Sequence, residues 1–174
     1  MPPPSSTLPD VALPPVWTLR LAGPFDSALV AAHIAAIYDE FGLAFDLPFE
    51  DDLIDVAGTY AEGAFWIVES QEERDLPPRI EATAAVLPHG PTRVFKRLYV
   101  ARAARRSGVA RALLHAAHGW GDFVRTELWS DVRFQNAHRL YLSAGFTPGP
   151  TRVLDDPDRS VERAFFCPSD RALT

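Results

Sequence analysis

The chain has 174 residues, of which 47% are hydrophobic and 23% charged, and its formal net charge at pH 7 is -6. These values are ordinary for a globular protein, and this length suits one domain whose core needs no disulfide or metal to support it. The negative charge argues against nonspecific binding of nucleic-acid phosphates, which depends on clustered Lys and Arg. We therefore expect no nucleic-acid partner.

The cysteine content and the hydropathy pattern indicate the compartment. A single cysteine, Cys167, excludes an internal disulfide, fits a reducing environment and is predicted to be a core residue. No apolar run approaches the roughly 20 residues that span a bilayer, and the opening MPPPSS lacks the basic and apolar regions of a signal peptide. The sequence predicts a cytoplasmic protein without a membrane partner.

The first half of the chain begins with a proline-rich lead. Residues 1–15 contain six prolines and are predicted to be disordered, so the folded domain is predicted to span residues 16–174. Residues 16–22 alternate as a first strand, and Gly23-Pro24 precedes a helix that ends near Gly42. A second, shorter helix is predicted over residues 50–60. The predicted buried face of the first helix consists of Leu29, Ala32, His33, Ala36 and Ile37.

The second half of the chain is predicted to alternate strands with two helices. Residues 63–70 and 79–87 read as strands around the loop QEERDLPP, and residues 94–100 as a third. After a central helix, residues 123–130 should form a strand parallel to 94–100, because a strand-helix-strand unit crosses over to a parallel neighbour. A helix over 133–144 and an antiparallel pair over 146–154 and 161–167 complete a mixed α/β (α+β) sheet of about seven strands and four helices. The last helix should bury Ala137, Leu140, Tyr141 and Ala144.

The stretch from Phe95 to Trp120 organises the chain. A short apolar strand leads through an arginine-rich turn into a helix that opens at Ser107-Gly108. The free N–H groups of a helix start, surrounded by cations and small side chains, form a cradle for an anion, with phosphate as the expected occupant. The arginines of this turn are Arg102, Arg105, Arg106 and Arg111, and the buried helix face is predicted to be Val109, Leu113, Ala116, Ala117 and Trp120.

The alternative interpretation is that these arginines solvate an ordinary surface helix. However, no carboxylate lies between Arg102 and Arg111 to complement the helix dipole, which favours a site completed by an anionic ligand. The GxxxxGK[ST] pattern of nucleotide triphosphatases and the GxGxxG pattern of dinucleotide-binding folds are both absent.

Two blocks of sequence resemble the GNAT superfamily of acetyl-coenzyme A dependent N-acetyltransferases. Residues 105–110, RRSGVA, fit its (Q/R)xxGx(G/A) signature and follow an L-x-V strand at Leu98 and Val100. The second block, LWSDVRFQNAHRLYLSAGF at residues 128–146, is similar to the family's later strand and helix with an LYxxxGF ending. The resemblance covers the chain from about Val16 onward and implies the GNAT-like fold.

The resemblance also implies a cofactor, acetyl-CoA, and the residues that bind it. The strand backbone at Leu98, Tyr99 and Val100 would pair with the pantetheine arm, and an amide there would polarise the thioester carbonyl. Asn136 stands two residues after Phe134, where the family often has the asparagine that contacts pantetheine. The pyrophosphate would lie on Arg105, Arg106, Ser107, Gly108, Val109, Ala110 and Arg111.

The resemblance places the acid catalyst at Tyr141, within LYLSAGF. A tyrosine of pKa about 10 is a weak donor to a thiolate whose conjugate acid has a pKa of about 8.5, so we expect about a hundredfold contribution. The alternative role for Tyr141 is a buried, hydrogen-bonded core residue. The general base is left open among Glu81, Glu127 and water, because Val94 and Phe95 occupy the place where many family members have a glutamate.

An acidic and aromatic strip follows the first helix, in the segment that usually borders the acceptor site in proteins resembling this one. Such a strip would concentrate cations. The alternative interpretation is an ordinary acidic first turn of a helix with phenylalanines that belong to the core. Glu40 and Phe41 are predicted to bind the acceptor. The strip contains Asp39, Glu40, Phe41, Phe45, Asp46, Phe49, Glu50, Asp51, Asp52 and Asp55.

Two function classes follow from these residues. The first is an N-acetyltransferase in which a primary amine of a small molecule or peptide attacks acetyl-CoA directly. If the acidic strip selects the acceptor, that acceptor is cationic. The second is a noncatalytic module that binds or senses coenzyme A. His115 and His118 lack a cysteine or carboxylate at ligand spacing, so no metal is expected. The oligomeric state stays open, with a homodimer as one alternative.

Overall fold

The computed structural model describes residues 8–71 and 78–174. Residues 1–7 of the predicted proline-rich lead and residues 72–77 of the predicted hairpin loop lie outside the described part. Within the lead, Leu13 packs against the main core. No helix of the described part is long and apolar enough to cross a membrane.

Seven strands and four α-helices form within these described ranges, in the predicted order, and confirm the predicted mixed fold. The strands are β1 (Trp17–Leu21), β2 (Ala64–Ser70), β3 (Arg79–His89), β4 (Thr92–Val100), β5 (Arg125–Asp131), β6 (Thr147–Val153) and β7 (Val161–Pro168). The helices are α1 (Ser27–Glu40), α2 (Val56–Thr59), α3 (Val109–Gly119) and α4 (Gln135–Ser143), with 3-10 turns at Asp51–Leu53 and Arg102–Ala104.

The strands form one sheet in the order β1-β2-β3-β4-β5-β7-β6. Strands β4 and β5 are parallel, as predicted, and the other neighbours in the sheet are antiparallel. Pairing of β4 with β5 runs from Thr92 opposite Arg125 to Phe95 opposite Leu128 and does not continue to the end of β4. The sheet is therefore split between the last residues of β4 and those of β5.

Each face of the sheet is covered by its own hydrophobic cluster. Strand side chains alternate between faces, so Trp66 and Val68 of β2 join the cluster under α3 and α4, whereas Phe65 and Ile67 join the cluster under α1. The predicted faces of α3 and α4 are largely confirmed: Val109, Leu113, Ala117 and Trp120 of the first set and Tyr141 and Ala144 of the second are buried.

The predicted face of α1 is wrong in part. Ile37 is buried as predicted, but Leu29 is 57% exposed and Ala32 and Ala36 are also exposed, and Val30 and Ile34 are buried instead. The helix is rich in alanine, which distinguishes its faces poorly, so the larger branched side chains decide which face packs on the sheet.

The second predicted helix, over residues 50–60, is instead a 3-10 turn followed by the short helix α2. Asp55 causes the interruption, because its side chain accepts a hydrogen bond from the Gly58 N–H at 2.9 Å and caps a new helix start.

Candidate active site

The unpaired part of β4 presents backbone groups to the split in the sheet. The Ala101 N–H donates to the Glu81 carbonyl at 2.8 Å, on the β3 side. Because successive N–H groups of a strand point to opposite edges, the amides of Leu98 and Val100 face away from β3, toward the gap left by β5. Their side chains pack against the α3 side of the sheet, and the pairing of β4 with β5 ends at Phe95, before these two amides.

A cleft of about 1330 Å³ occupies this gap. Its walls come from the end of α1, the second half of β4, the start of α3, strand β5, the start of α4 and the turn between β6 and β7. The predicted cofactor residues that line it are Leu98, Tyr99, Val100, Arg105, Arg106, Gly108, Val109, Ala110, Arg111 and Asn136. Phe41 and Tyr141 also line it, whereas Ser107 and Glu40 lie outside the lining.

Gly108 shapes the end of the cleft at the start of α3. It is the N-cap residue of α3 and has φ +92°, a left-handed conformation that disfavours any residue with a side chain. A Cβ placed there would meet no atom within 4 Å, so the space above the helix start is open. The amides of Ala110 and Arg111 belong to the first helical turn and have no carbonyl four residues earlier within the helix. We call this part of the cleft, with Arg105 and Arg106, the basic end.

The structure corrects the prediction that this turn lacks a carboxylate partner. Arg105 forms an ion pair with Glu40 of α1 at 2.9 Å and also donates to the Val100 carbonyl at 3.2 Å. Sequence spacing could not show the pair, because the two residues are 65 positions apart. Arg111 turns toward Ser143, at 2.8 Å, and toward the main-chain oxygen of Thr174. Arg102 and Arg106 are exposed.

Tyr141 lies at the opposite wall of the same cleft. It is buried, its ring centroid is 5.3 Å from that of Phe165 and 6.2 Å from that of Phe146, and it belongs to the core under α3 and α4. Burial raises the pKa of Tyr141 above its usual range, the charge of Tyr99 raises it further, and contact with Ser130 lowers it. Tyr141 therefore stays protonated at neutral pH, and it is both a core residue and a cleft residue.

Five aromatic rings meet beside these residues, from α1, the segment after α1, β4 and the turn before α4. The Tyr38 centroid lies 5.7 Å from those of Phe45 and Tyr99, and the Phe134 centroid lies 4.8 Å from that of Phe41 and 6.2 Å from that of Tyr99. Phe134 thus fills a space where the resemblance suggests an asparagine. We call Tyr38, Phe41, Phe45, Tyr99 and Phe134 the aromatic cluster.

Arg97 connects the aromatic cluster to two carboxylates. It has φ +58°, next to a register shift between β3 and β4, and its side chain is only 9% exposed. Its guanidinium donates to Glu50 at 2.6 Å and to both oxygens of Asp52, one of them at 2.9 Å. Burial opposes ionisation of Asp52, but the Arg97 hydrogen bonds outweigh it, and the pKa of Asp52 falls to about 2. Tyr60 also donates to Asp52.

Acidic side chains outnumber basic ones in the remaining wall, where Lys96, Arg97 and Arg152 also line the cleft and Arg97 and Arg152 pair with Glu50 and Glu162. The turn between β6 and β7 is held to the segment after α1 by a hydrogen bond of 2.7 Å from the Ala44 N–H to Asp158. We call this wall the acidic end, and its acidic lining residues are Asp46, Glu50, Glu127, Asp131, Asp155, Asp156, Asp158 and Glu162. The predicted strip contributes only in part, because Phe41, Asp46, Phe49 and Glu50 line the cleft, whereas Asp39, Glu40, Phe45, Asp51, Asp52 and Asp55 do not.

The two candidate bases occupy different environments. Glu81 is fully buried, accepts hydrogen bonds from Ser70 at 2.5 Å and Arg79 at 2.8 Å, and does not line the cleft. Glu127 does line the cleft and accepts from Trp129 at 3.0 Å and Arg125 at 3.2 Å. The sequence predictions missed Tyr38 and Arg97 entirely and assigned Tyr99 a backbone role, because no local motif links the three.

The described residues contain no group of three or more His, Cys, Asp or Glu arranged around a possible metal position. His115 is exposed, and the ring nitrogens of His118 contact Thr126 at 2.8 Å and the Arg171 carbonyl at 3.0 Å. Cys167 is buried and free.

In a comparison with known families, residues 61–148 match the model described as an acetyltransferase (GNAT) domain. This span contains β2 through α4 and therefore both walls of the split between β4 and β5. No curated protein matches the chain significantly.

Comparison with solved structures gives GNAT-type folds. An acetyltransferase of the GNAT family from Staphylococcus aureus Mu50 superposes with a TM-score of 0.72 at 15% identity, covering 88% of this chain and 99% of that one. An acetyltransferase from Streptococcus agalactiae 2603 superposes with a TM-score of 0.67 at 21% identity, covering 87% of this chain and 98% of that one. A spermidine N-acetyltransferase from Vibrio cholerae, in complex with CoA and spermine, gives 0.59 at 15% identity, with coverages of 88% and 96%.

Proposed function

This chain belongs to the GNAT family of acetyltransferases, and we propose that it transfers an acetyl group from acetyl-CoA to a primary amine of a cationic acceptor. The catalytic domain in this proposal spans residues 16–174. The observation that carries the proposal is the opposite polarity of the two ends of one cleft.

The basic end supports binding of the cofactor. Free amides on β4 suit the amide-bearing arm of coenzyme A, and the open helix start beside Arg105 and Arg106 suits its pyrophosphate. A residue larger than glycine at position 108 would place its Cβ in the open space above the helix start. The residues that would hold the cofactor are Leu98, Val100, Arg105, Arg106, Gly108, Ala110 and Asn136. Bound acetyl-CoA would supply an activated acetyl thioester.

The chain's own residues would then orient the reactants and control protons. The Leu98 amide points into the gap and is the donor in position to polarise a carbonyl oxygen. Tyr141 holds a proton on Oη at neutral pH, and its raised pKa makes it a weaker acid than an ordinary tyrosine. It would therefore donate to the departing sulfur only as negative charge develops there in the transition state. The aromatic cluster excludes water from the wall between the two ends.

The acidic end supports selection of a cationic acceptor. Carboxylates outnumber the cations Lys96, Arg97 and Arg152 at this end. A wall of net negative charge concentrates cationic ligands, and aromatic faces stabilise ammonium groups. The Vibrio cholerae structure with spermine shows that a protein of this fold can bind a polycationic amine. These features favour polyamines, aminoglycoside-like amines and basic peptides over acidic amino acids.

The test is a turnover assay that follows release of the coenzyme A thiol from acetyl-CoA with a panel of cationic, neutral and anionic amines. We expect cationic amines to be the best substrates and their advantage to shrink as salt screens the acidic end. A salt-independent preference for anionic amines would contradict the acceptor proposal alone. Tight coenzyme A binding without turnover on any amine or peptide would favour the noncatalytic module instead.

A further inference from the structure

Three side chains form a continuous hydrogen-bonded chain from the cleft to a carboxylate. The Tyr99 and Tyr38 hydroxyls are 3.1 Å apart, and the Tyr38 hydroxyl donates to Glu50 Oε1 at 2.9 Å. All three residues line the cleft. They come from β4, α1 and the segment that follows α1, so the tertiary fold alone assembles them.

The direction of these two hydrogen bonds is fixed by the number of hydroxyl protons. A tyrosine hydroxyl carries one proton, and that of Tyr38 is given to Glu50. Tyr99 must therefore donate its own proton to the Tyr38 oxygen, which leaves the Tyr99 oxygen as an acceptor. Both donors point toward Glu50, as a path that carries a proton from the cleft to this carboxylate requires.

Glu50 can take up a proton without leaving a buried cation unpaired. Its other oxygen accepts from Arg97, but Arg97 also makes a two-oxygen ion pair with Asp52. Lys96 lies 3.5 Å from Asp52 as well. When Glu50 becomes neutral, Asp52 still balances Arg97, so protonation does not incur the cost of an isolated buried charge.

The outer end of this hydrogen-bonded series and the proposed acid belong to the same cleft, because Tyr99 and Tyr141 both line it. Burial raises the pKa of Tyr99 and of Tyr38, so both hydroxyls stay neutral while protons pass. The charged and titratable groups that face this chain are His33, Glu50, Asp52, Lys96, Arg97, Tyr141 and Glu162.

We propose that Tyr99, Tyr38 and Glu50 form the general-base relay for the acceptor amine, an inference that rests on the proposed acetyl transfer. An N–H bond of the acceptor ammonium breaks and its proton passes to the Tyr99 oxygen. Tyr99 gives its own proton to Tyr38, and Tyr38 gives its own to Glu50 Oε1. The nitrogen keeps the electron pair that attacks the acetyl carbonyl, and Glu50 later returns the proton to water.

Tyr38→Phe tests this relay, with Tyr60→Phe as its matched control. Each substitution removes one buried hydroxyl that donates to a carboxylate bound by Arg97, but Tyr60 donates to Asp52 and does not line the cleft. At pH 7 we expect Tyr38→Phe to lower kcat/KM about 100-fold, whereas Tyr60→Phe should keep most of the activity. Coenzyme A affinity by calorimetry and the melting temperature serve as controls for folding.

The pH dependence separates a relay from a packing effect. Near pH 7 an acceptor amine with a pKa of about 10 is protonated and needs a base, but as pH approaches that pKa the neutral amine forms in water. The Tyr38→Phe defect should therefore shrink to about threefold at pH 9.5, and Glu50→Gln should follow the same profile. A defect independent of pH, or one equal to that of Tyr60→Phe, would overturn the relay. Absence of turnover by the unmutated chain would instead contradict the proposed function.

Discussion

The basic and acidic ends of the cleft are constructed in different ways. The basic end comes from one short stretch, residues 98–111, and relies on backbone amides, a left-handed glycine and the start of α3. The acidic end is assembled from α1, the segment after it, β4, β5 and the turn between β6 and β7, and relies on side chains. Backbone recognition of a constant cofactor needs one conserved conformation, whereas side-chain recognition leaves the acceptor free to differ between proteins of one fold.

The largest effect that separates the two ends should come from Gly108→Leu. The new side chain would enter the open space at the helix start in a backbone conformation that disfavours it. We expect coenzyme A affinity to fall about 100-fold, the equivalent of one or two charge-assisted hydrogen bonds. Calorimetric titration measures this.

Gly42→Leu is the matched control for that variant. Gly42 has φ +65° and open space around it, so it imposes similar backbone strain, but it does not line the cleft. Loss of stability in both variants with loss of coenzyme A binding in Gly108→Leu alone would establish the basic end. Unchanged binding in Gly108→Leu would show that the cofactor does not use this helix start.

The second effect concerns the wall shared by both ends. Tyr141→Phe should lower kcat about 100-fold and leave coenzyme A affinity nearly unchanged, since only a proton donor is lost. Because the pKa of Tyr141 is raised, its ionisation should cause no decline of the unmutated enzyme below pH 10. Steady-state kinetics with calorimetry measure both quantities. Equal turnover by the two proteins would assign Tyr141 to packing.

The third effect concerns the ion pairs beneath the acidic end. The folded-state pKa of Asp52 is depressed to about 2, so its contribution to stability is present above about pH 4 and is lost as pH falls through 2. A pKa shift of this size contributes about 2 kcal/mol to the free energy of unfolding at neutral pH. Urea unfolding should show that Asp52→Asn is less stable than the unmutated protein at pH 7. The difference in free energy of unfolding between the two proteins should be about 1 kcal/mol smaller at pH 3. A gap of the same size at both pH values would exclude this pair as a source of acid sensitivity.

The smallest effect tests the contact that joins the two ends. Glu40, predicted from sequence to bind the acceptor, pairs with Arg105 of the basic end. Glu40→Gln should free Arg105 and strengthen coenzyme A binding about two- to threefold, the scale of a partly exposed ion pair. Asp39→Asn, an adjacent exposed carboxylate, is the control for charge. A larger change in the acceptor KM than in cofactor affinity would return Glu40 to the acceptor site.

The same contrast explains which features could be predicted from sequence. The element order, the parallel pairing of β4 with β5 and the glycine at the start of α3 leave local patterns, and the family match agrees with the resemblance carried by residues 105–110 and 128–146. The Arg105 pair with Glu40 and the Arg97 contacts with Glu50 and Asp52 join residues tens of positions apart, so no spacing rule could indicate them. The face of α1 was predicted correctly at Ile37 but not at Leu29, Ala32 and Ala36. The reason is different, since alanines do not specify which side of a helix is buried.

The proposed binding site for coenzyme A is the split between β4 and β5 together with the start of α3. It can be tested by isothermal titration of coenzyme A into the unmutated chain at ligand concentrations up to the millimolar range. We expect saturable heat at one site per chain, accompanied by a higher melting temperature in the presence of ligand. Absence of heat together with an unchanged melting temperature would contradict it.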